Sequence, residues 1–283
     1  MKKTFTVEEK QKMTEERKAK VKELTDRLEH GITDMFTDGT YTHYLKAMAS
    51  FHDYSLNNLI LIHMQMPNAT RIAGFQTWKK LGRSVKKGEK AITILAPVPF
   101  KTKEKEKDDN GNDTGNEIEI SGMYFRTMSV FDITQTEGKE IDIVKDLNEN
   151  LEDCDTLIDA IIQTSPYHYD FDPSVSSCSY YDSKAKTIVI NTKMSDADII
   201  KHMITEQVRL TSDITDETAK NIIAESAAYV ICSHYGIDTS SYSFGQIAKW
   251  SEDKELKELK DNLKYIKEIS SEIMKKLDET IAA

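Results

Sequence analysis

A stretch of basic and aromatic residues carries the clearest chemistry in this sequence. The whole chain has a formal net charge of −10, yet residues 71–90 contain only one acid, Glu89. Phe75 and Trp78 lie among the cations. Because cations neutralise phosphates and aromatic rings stack on bases, this combination is typical of a site for single-stranded nucleic acid. The cations are Arg71, Lys79, Lys80, Arg83, Lys86, Lys87 and Lys90.

A second interpretation of the same stretch needs no ligand. Basic runs are common on solvated surfaces. Phe75, Trp78 and Leu81 are spaced three residues apart, as on one apolar face of a helix. The pattern alone therefore leaves two interpretations open: rings that stack on bases, or rings that pack in the core beneath phosphate-facing lysines.

Three motifs around this stretch resemble a known family. The segments YSLNN, GFQTWKKLGRSVKKGEKAITILAP and FRTMSVFDITQTEG follow one another between residues 54 and 138. In that order they resemble the N-terminal domain of the ArdC-type antirestriction proteins of conjugative plasmids and transposons. The resemblance implies a domain that binds single-stranded DNA, followed by a zincin-like metallopeptidase domain. It adds Tyr54, Asn57 and Asn58 as further predicted DNA contacts, for which capping and packing are the alternative. Arg126, on a returning strand, is expected to add a polar contact.

The resemblance also locates a degenerate catalytic motif in the second half. In zincin peptidases, two histidines four residues apart on one helix hold zinc, and the glutamate between them polarises the metal-bound water. Here the resemblance places Thr205 and Arg209 at the histidine positions, Glu206 at the catalytic position and Glu225 at the third-ligand position. Neither threonine nor arginine replaces an imidazole as a zinc ligand. We therefore expect a pseudo-metallopeptidase with no catalytic residue, no metal and no cofactor.

Two alternatives around this motif remain open. Arg209 shares a helix face with Thr205, so its guanidinium either fills the volume of the missing metal and pairs with Glu206 or Glu225, or points to solvent. His202 lies one turn before Glu206. A rebuilt metal site of His202, Glu206 and Glu225 is the alternative to a site without metal.

Length and patterning predict an α+β fold in two domains, residues 1–140 and 141–283. The first has helices packed on a small antiparallel sheet; the second is mostly helical, with a small hairpin within residues 178–191. A strand over residues 91–95 is expected to stop before Pro97 and Pro99. Residues 101–116 read as a flexible loop with a turn at Asn110-Gly111. Residues 138–145 are the expected domain junction.

The cysteines and the apolar runs of the sequence bear on the cellular compartment of the protein. The three cysteines form no CxxC pair, so neither a disulfide framework nor a cysteine metal knuckle is expected. The first residues lack the apolar segment of a secretory signal, and no apolar run approaches the ~20 residues of a membrane span. We expect a cytoplasmic protein that does not contact a membrane.

These observations predict a single-stranded-DNA-binding, antirestriction-like accessory protein of a conjugative plasmid or transposon. Conjugation proteins or host restriction proteins are its further expected partners. Two alternatives stay open: an active zinc metallopeptidase with an altered metal site, and a protein-interaction scaffold.

Overall fold

Three helices precede the first sheet in the computed structural model, which describes residues 7–37, 40–107, 113–141, 154–238, 242 and 244–283. They are α1 (Val7–Thr37), α2 (Tyr41–Ser50) and α3 (Leu56–Gln65). Ser55 caps α3, because its hydroxyl accepts a hydrogen bond from the backbone N–H of Asn58. The side chains of Leu59, Ile60, Leu61 and Ile62 on α3 are buried, so this helix is central to the first half.

The first sheet has the antiparallel order β1-β4-β3, with β1 (Ile72–Gly74), β3 (Ile92–Lys107) and β4 (Asp113–Asp132). The short helix α4 (Phe75–Lys80) follows β1 directly. A separate pair joins β2 (Arg83–Val85) to β5 (Thr136–Gly138), and a 3-10 turn (Ile133–Gln135) links β4 to β5.

The predicted end of the first long strand was wrong. Pro97 and Pro99 lie within β3, where they pair with Phe125 and Met123 of β4. Because β3 is an edge strand, one of its two sides needs no strand partner, and an edge tolerates proline. The predicted loop over residues 101–116 is likewise largely strand: β3 continues to Lys107 and β4 begins at Asp113. The predicted Asn110-Gly111 turn lies outside the described residues.

The second half joins a small sheet to five helices in the part of the chain that is described. After α5 (Cys154–Thr164), strands β6 (His168–Phe171), β7 (Ser179–Asp182) and β8 (Thr187–Ile190) form a sheet of order β6-β8-β7. Strands β7 and β8 are the predicted hairpin, and the parallel strand β6 was missed. The remaining helices are α6 (Asp196–Thr211), α7 (Glu217–His234), α8 (Ile247–Ser251) and α9 (Leu256–Ile281). The predicted α+β class is confirmed.

The two halves share one continuous hydrophobic core. Helix α2 packs on α7, and α1 packs on α8 and α9. The buried Tyr41 hydroxyl of α2 is hydrogen-bonded to the Ser226 hydroxyl of α7 at 2.8 Å. The division at residue 140 stays a prediction, and residues 142–145 of the expected junction lie outside the described chain. Among the described helices, none is long and apolar enough to cross a membrane.

Candidate functional site

Residues 71–90, here called the basic segment, present most of their lysines to solvent. Lys79 and Lys80 are exposed on α4, and Lys86, Lys87 and Lys90 are exposed around β2. The side chain of Phe75, at the start of α4, is 51% exposed. This segment therefore presents cations and one accessible aromatic ring together.

One buried carboxylate fixes the beginning of the basic segment. Asp132 has no exposed surface. Its Oδ2 accepts hydrogen bonds from the backbone N–H groups of Thr70 at 2.8 Å and Arg71 at 3.0 Å. Its Oδ1 accepts from the backbone N–H and the hydroxyl of Thr134. Because both oxygens have two donors, Asp132 holds the chain entering the segment against the turn that follows β4.

The same turn fixes the end of the basic segment. The amide Nε2 of Gln135 donates to the carbonyl of Lys90 at 2.8 Å and to Oε2 of Glu89 at 3.0 Å. The Nζ of Lys86 donates to the carbonyl of Thr134 at 2.8 Å. Residues 131–136, here called the anchor, therefore contact both ends of the segment. The FDITQT sequence is thus a support for the basic surface.

Three residues predicted to contact DNA have hydrogen-bond partners within the fold. Trp78 is fully buried and its Nε1 donates to the carbonyl of Phe131 at 2.8 Å, so its ring is not available for stacking. Asn58 is buried, and its side chain bonds both the N–H and the carbonyl of Leu95. The guanidinium of Arg83 donates to the hydroxyl and carbonyl of Thr136 and is therefore tied to β5.

The other predicted DNA contacts differ in exposure. Tyr54, Asn57 and Arg71 are half-buried. Burial and the charge of Asp53 raise the pKa of Tyr54, which stays a neutral phenol. Arg126 is exposed on β4, opposite Ala96 of β3. Of these four, Arg126 is the most accessible cation.

Sequence reasoning missed a group of exposed apolar residues on the β3–β4 pair. Beyond the short partner β1, residues 96–107 and 113–126 form a two-stranded extension, here called the ribbon. Unusually exposed side chains stand on or beside it: Phe100, Met123, Tyr124, Phe125 and Met128. The expected strand end at Pro97 hid this pattern, because it left out the part of β3 that pairs with residues 113–124 of β4.

A second candidate site is a cavity of about 590 Å³ between β7, α6 and α7. His202, Thr205, Glu206 and Arg209 of α6 line it together with Glu225 of α7. Further lining comes from Cys178 and Ser179 at β7 and from Phe244–Ile247 at α8.

An ion pair occupies one side of this cavity. The Arg209 Nη1 lies 3.7 Å from Oε2 of Glu206, and Nη2 lies 3.5 Å from Oε2 of Glu217. The Ser179 hydroxyl donates to Oε1 of Glu206 at 2.9 Å. The side chain of Glu206 is 11% exposed and that of Arg209 is 36% exposed. Arg209 is therefore a cavity residue with one outer acid partner, Glu217, which sequence reasoning missed.

The remaining polar groups give the cavity little capacity for a cation. Burial, followed by the charge of Lys201, lowers the pKa of His202 and favours its neutral form. The Thr205 hydroxyl is buried and has no hydrogen-bond partner among the described residues. In the described chain, no group of three or more histidine, cysteine, aspartate or glutamate side chains is arranged to hold a metal ion.

Comparison with known proteins identifies the domain that carries the basic segment. Residues 7–131, which include the basic segment and the ribbon, match the model of the N-terminal domain of anti-restriction factor ArdC. The chain therefore contains a domain of the ArdC N-terminal type. The match includes Phe131, the first residue of the anchor, and ends before residues 132–136.

Two individual proteins are similar to this chain over both of its halves. The Mn(II)-bound crystal structure of antirestriction protein ArdC from the R388 plasmid is similar with a TM-score of 0.51 and 18% identity. That likeness covers 90% of this chain and 98% of that one, and at this identity it shows the fold. An uncharacterized protein of Bacillus anthracis, pXO2-81, is 24% identical over 99% of this chain. The chain spans about half, 54%, of that relative's length.

In the second half of the chain, the four positions assigned by resemblance to a zincin centre come together. Thr205, Glu206, Arg209 and Glu225 line one cavity although Glu225 lies on another helix. Their role as vestiges of a metal centre stays a prediction. Arg209 stands at a position that the resemblance assigns to a zinc ligand, and Glu206 stands at the position of the catalytic acid. In this structure the two side chains form an ion pair.

Proposed function

We propose that the protein binds single-stranded DNA through the basic segment, as a non-enzymatic antirestriction-type accessory protein. The observation that carries the proposal is the attachment of the exposed lysines to a buried support. Asp132 and Gln135 fix the two ends of the segment by hydrogen bonds. A cationic surface held in one shape loses less conformational entropy when it binds phosphates than a mobile chain does.

The same proposal assigns no catalysis to the cavity. Its residues do not fit the metal implied by a zincin-like fold, or the Mn(II) named for the R388 protein, because Arg209 brings a permanent positive charge to the cavity wall. The guanidinium already neutralises Glu206, the acid that would activate a metal-bound water. We propose that this half is a zincin-like domain without peptidase activity.

The role in the cell follows from the family and from the proposed DNA binding. An ArdC-type protein that binds single strands would cover DNA entering a cell during conjugation and oppose host restriction. Conjugation proteins or restriction enzymes are the partners that this role implies.

A salt titration of single-strand affinity tests the DNA-binding proposal. We expect a fluorescent thymidine 20-mer to bind with an affinity that falls as salt rises. Replacing Lys80, Lys87 and Lys90 by alanine should weaken binding and reduce the slope of log K against log salt by about 2, at ~0.7 per phosphate contact. The control replaces Lys264, Lys275 and Lys276 of α9. Equal slopes for the two triple variants would contradict the proposed site.

A further inference from the structure

The two faces of the ribbon differ in chemistry. Cross-strand pairing puts Ala96 opposite Arg126, Val98 opposite Tyr124 and Phe100 opposite Gly122. Because side chains alternate along a strand, these residues share one face, here called face A. The opposite face carries Met123 and Phe125, whose side chains are 62% and 54% exposed. Both faces therefore present apolar surface, and the polar neighbours distinguish them.

Face A has two rings fixed beside a cation. The rings of Phe100 and Tyr124 lie 6.2 Å apart between centroids, with 48° between their planes. They are 38% and 46% exposed. Arg126 is exposed two residues after Tyr124 on the same face. On the opposite face, the cation Lys101 is paired with Glu119 at 2.7 Å, which reduces its attraction for phosphate.

A glycine allows Phe100 to lie against the strand. A Cβ built on Gly122 would be 2.8 Å from two carbons of the Phe100 ring, closer than real side-chain contacts. The ring therefore covers the backbone of β4 with one side and leaves its other side accessible. A ring held in this way loses little freedom when a base stacks on it.

Face A and the basic segment belong to the same sheet. Met128, 37% exposed, follows Arg126 on the same face, and Val130 pairs with both Ile92 and Gly74. Phe75 comes directly after Gly74 and opens α4. The rings on the ribbon and the lysines of the basic segment are thus attached to one sheet.

We propose that face A of the ribbon is a stacking platform for nucleobases, with Phe100 and Tyr124 as the rings and Arg126 as the adjoining cation. This inference rests on the proposed single-strand binding and assigns the phosphates and the bases of the strand to different surfaces. The basic segment binds phosphates, and face A binds bases without regard to their sequence, since every base has a stacking surface.

The test compares a normal and an abasic strand. The probes are a fluorescent thymidine 20-mer and an abasic strand with the same number of phosphates. The double variant Phe100→Ala/Tyr124→Ala should bind the normal strand at least about tenfold more weakly, with an unchanged salt slope, because no phosphate contact is lost. It should bind both probes equally, whereas the unmodified protein should prefer the strand with bases.

The control pair lies on the other face of the same ribbon. Met123→Ala/Phe125→Ala removes comparable apolar surface and should leave the affinity for both probes unchanged. The conservative variant Tyr124→Trp should keep the affinity, and its fluorescence should be quenched by the normal strand. Thermal melts establish that each variant is folded.

Different results overturn different proposals. If the unmodified protein binds but Phe100→Ala/Tyr124→Ala binds equally well, face A is not the platform and the basic segment alone accounts for binding. If the face A variant changes the oligomeric state and not the affinity, the face is a contact between copies, and the inference is wrong. No binding of the normal strand by the unmodified protein at low salt overturns the proposed function and this inference together.

Discussion

The guanidinium of Arg209 lies 3.7 Å from the carboxylate of Glu206, less than one turn earlier on α6, and both line the cavity beside Glu225. Ser179 donates to the other oxygen of that carboxylate at 2.9 Å. Glu206 therefore has partners on both oxygens while its side chain is only 11% exposed. These contacts hold the Glu206 carboxylate in place as the ion-pair partner of Arg209.

We predict that Arg209→Met lowers the free energy of unfolding by about 1–2 kcal/mol. This is less than the 3–5 kcal/mol of a fully buried pair, because Arg209 is about a third exposed and its field is screened by solvent. Denaturant unfolding measures the change. Adding Glu206→Gln should recover much of the loss, because no buried charge is then left unpaired. A loss that is the same with and without Glu206→Gln would show that the pair is not coupled.

The proposed zincin origin of the cavity predicts that a metal site can be rebuilt. The double variant Thr205→His plus Arg209→His should bind about one Zn²⁺ per chain, with Glu225 as the third protein ligand. Elemental analysis and a melt with and without chelator measure this. The matched control adds Glu225→Gln, which should remove most of the bound zinc. Stoichiometric zinc in the unmodified protein would contradict the pseudo-metallopeptidase proposal, and a folded double variant without zinc would contradict the alignment.

We predict that Asp132→Asn destabilises the first half by at least about 3 kcal/mol. Each carboxylate oxygen accepts two hydrogen bonds, and an amide nitrogen would turn a donor toward donors. Single-strand affinity should fall as well, because the start of the basic segment loses its attachment. Chemical denaturation and DNA titration test both effects. Asp155→Asn, at an exposed position on α5, is the control and should change stability by less than about 0.5 kcal/mol.

His202 predicts a pH dependence of stability. Burial and Lys201 lower its pKa in the folded protein, so the unfolded chain takes up the proton more readily. Stability should therefore fall as pH drops below the ordinary histidine pKa, from about pH 7 to 5. His202→Gln should make this fall shallower, measured by denaturant unfolding at several pH values. The control is His43→Gln at an exposed position of α2, and an equal effect of the two variants would contradict the assignment.

The sequence by itself determined the charge of the basic segment and the signals for several local elements. In helix α3, the serine cap and the apolar run that follows it are local signals that the sequence itself contains. The predicted convergence of Thr205, Arg209 and Glu225 also agrees with the cavity, since helical spacing sets one face and the resemblance supplied the second helix. Their function stays a prediction.

Only the tertiary structure decided which side chains are exposed and can contact a ligand. Phe75 and Trp78 have the same local pattern, but one is half exposed and the other is buried beneath a carbonyl of β4, because burial depends on strands far along the chain. The prolines of β3 are acceptable because the strand lies at an edge, a position that sheet order alone defines. The exposed rings of the ribbon follow from that strand. The spacing of apolar residues along the sequence predicts which of them share a helix or strand face. Whether that face is exposed depends on elements that are distant in sequence, and exposure determines which residues can contact a ligand.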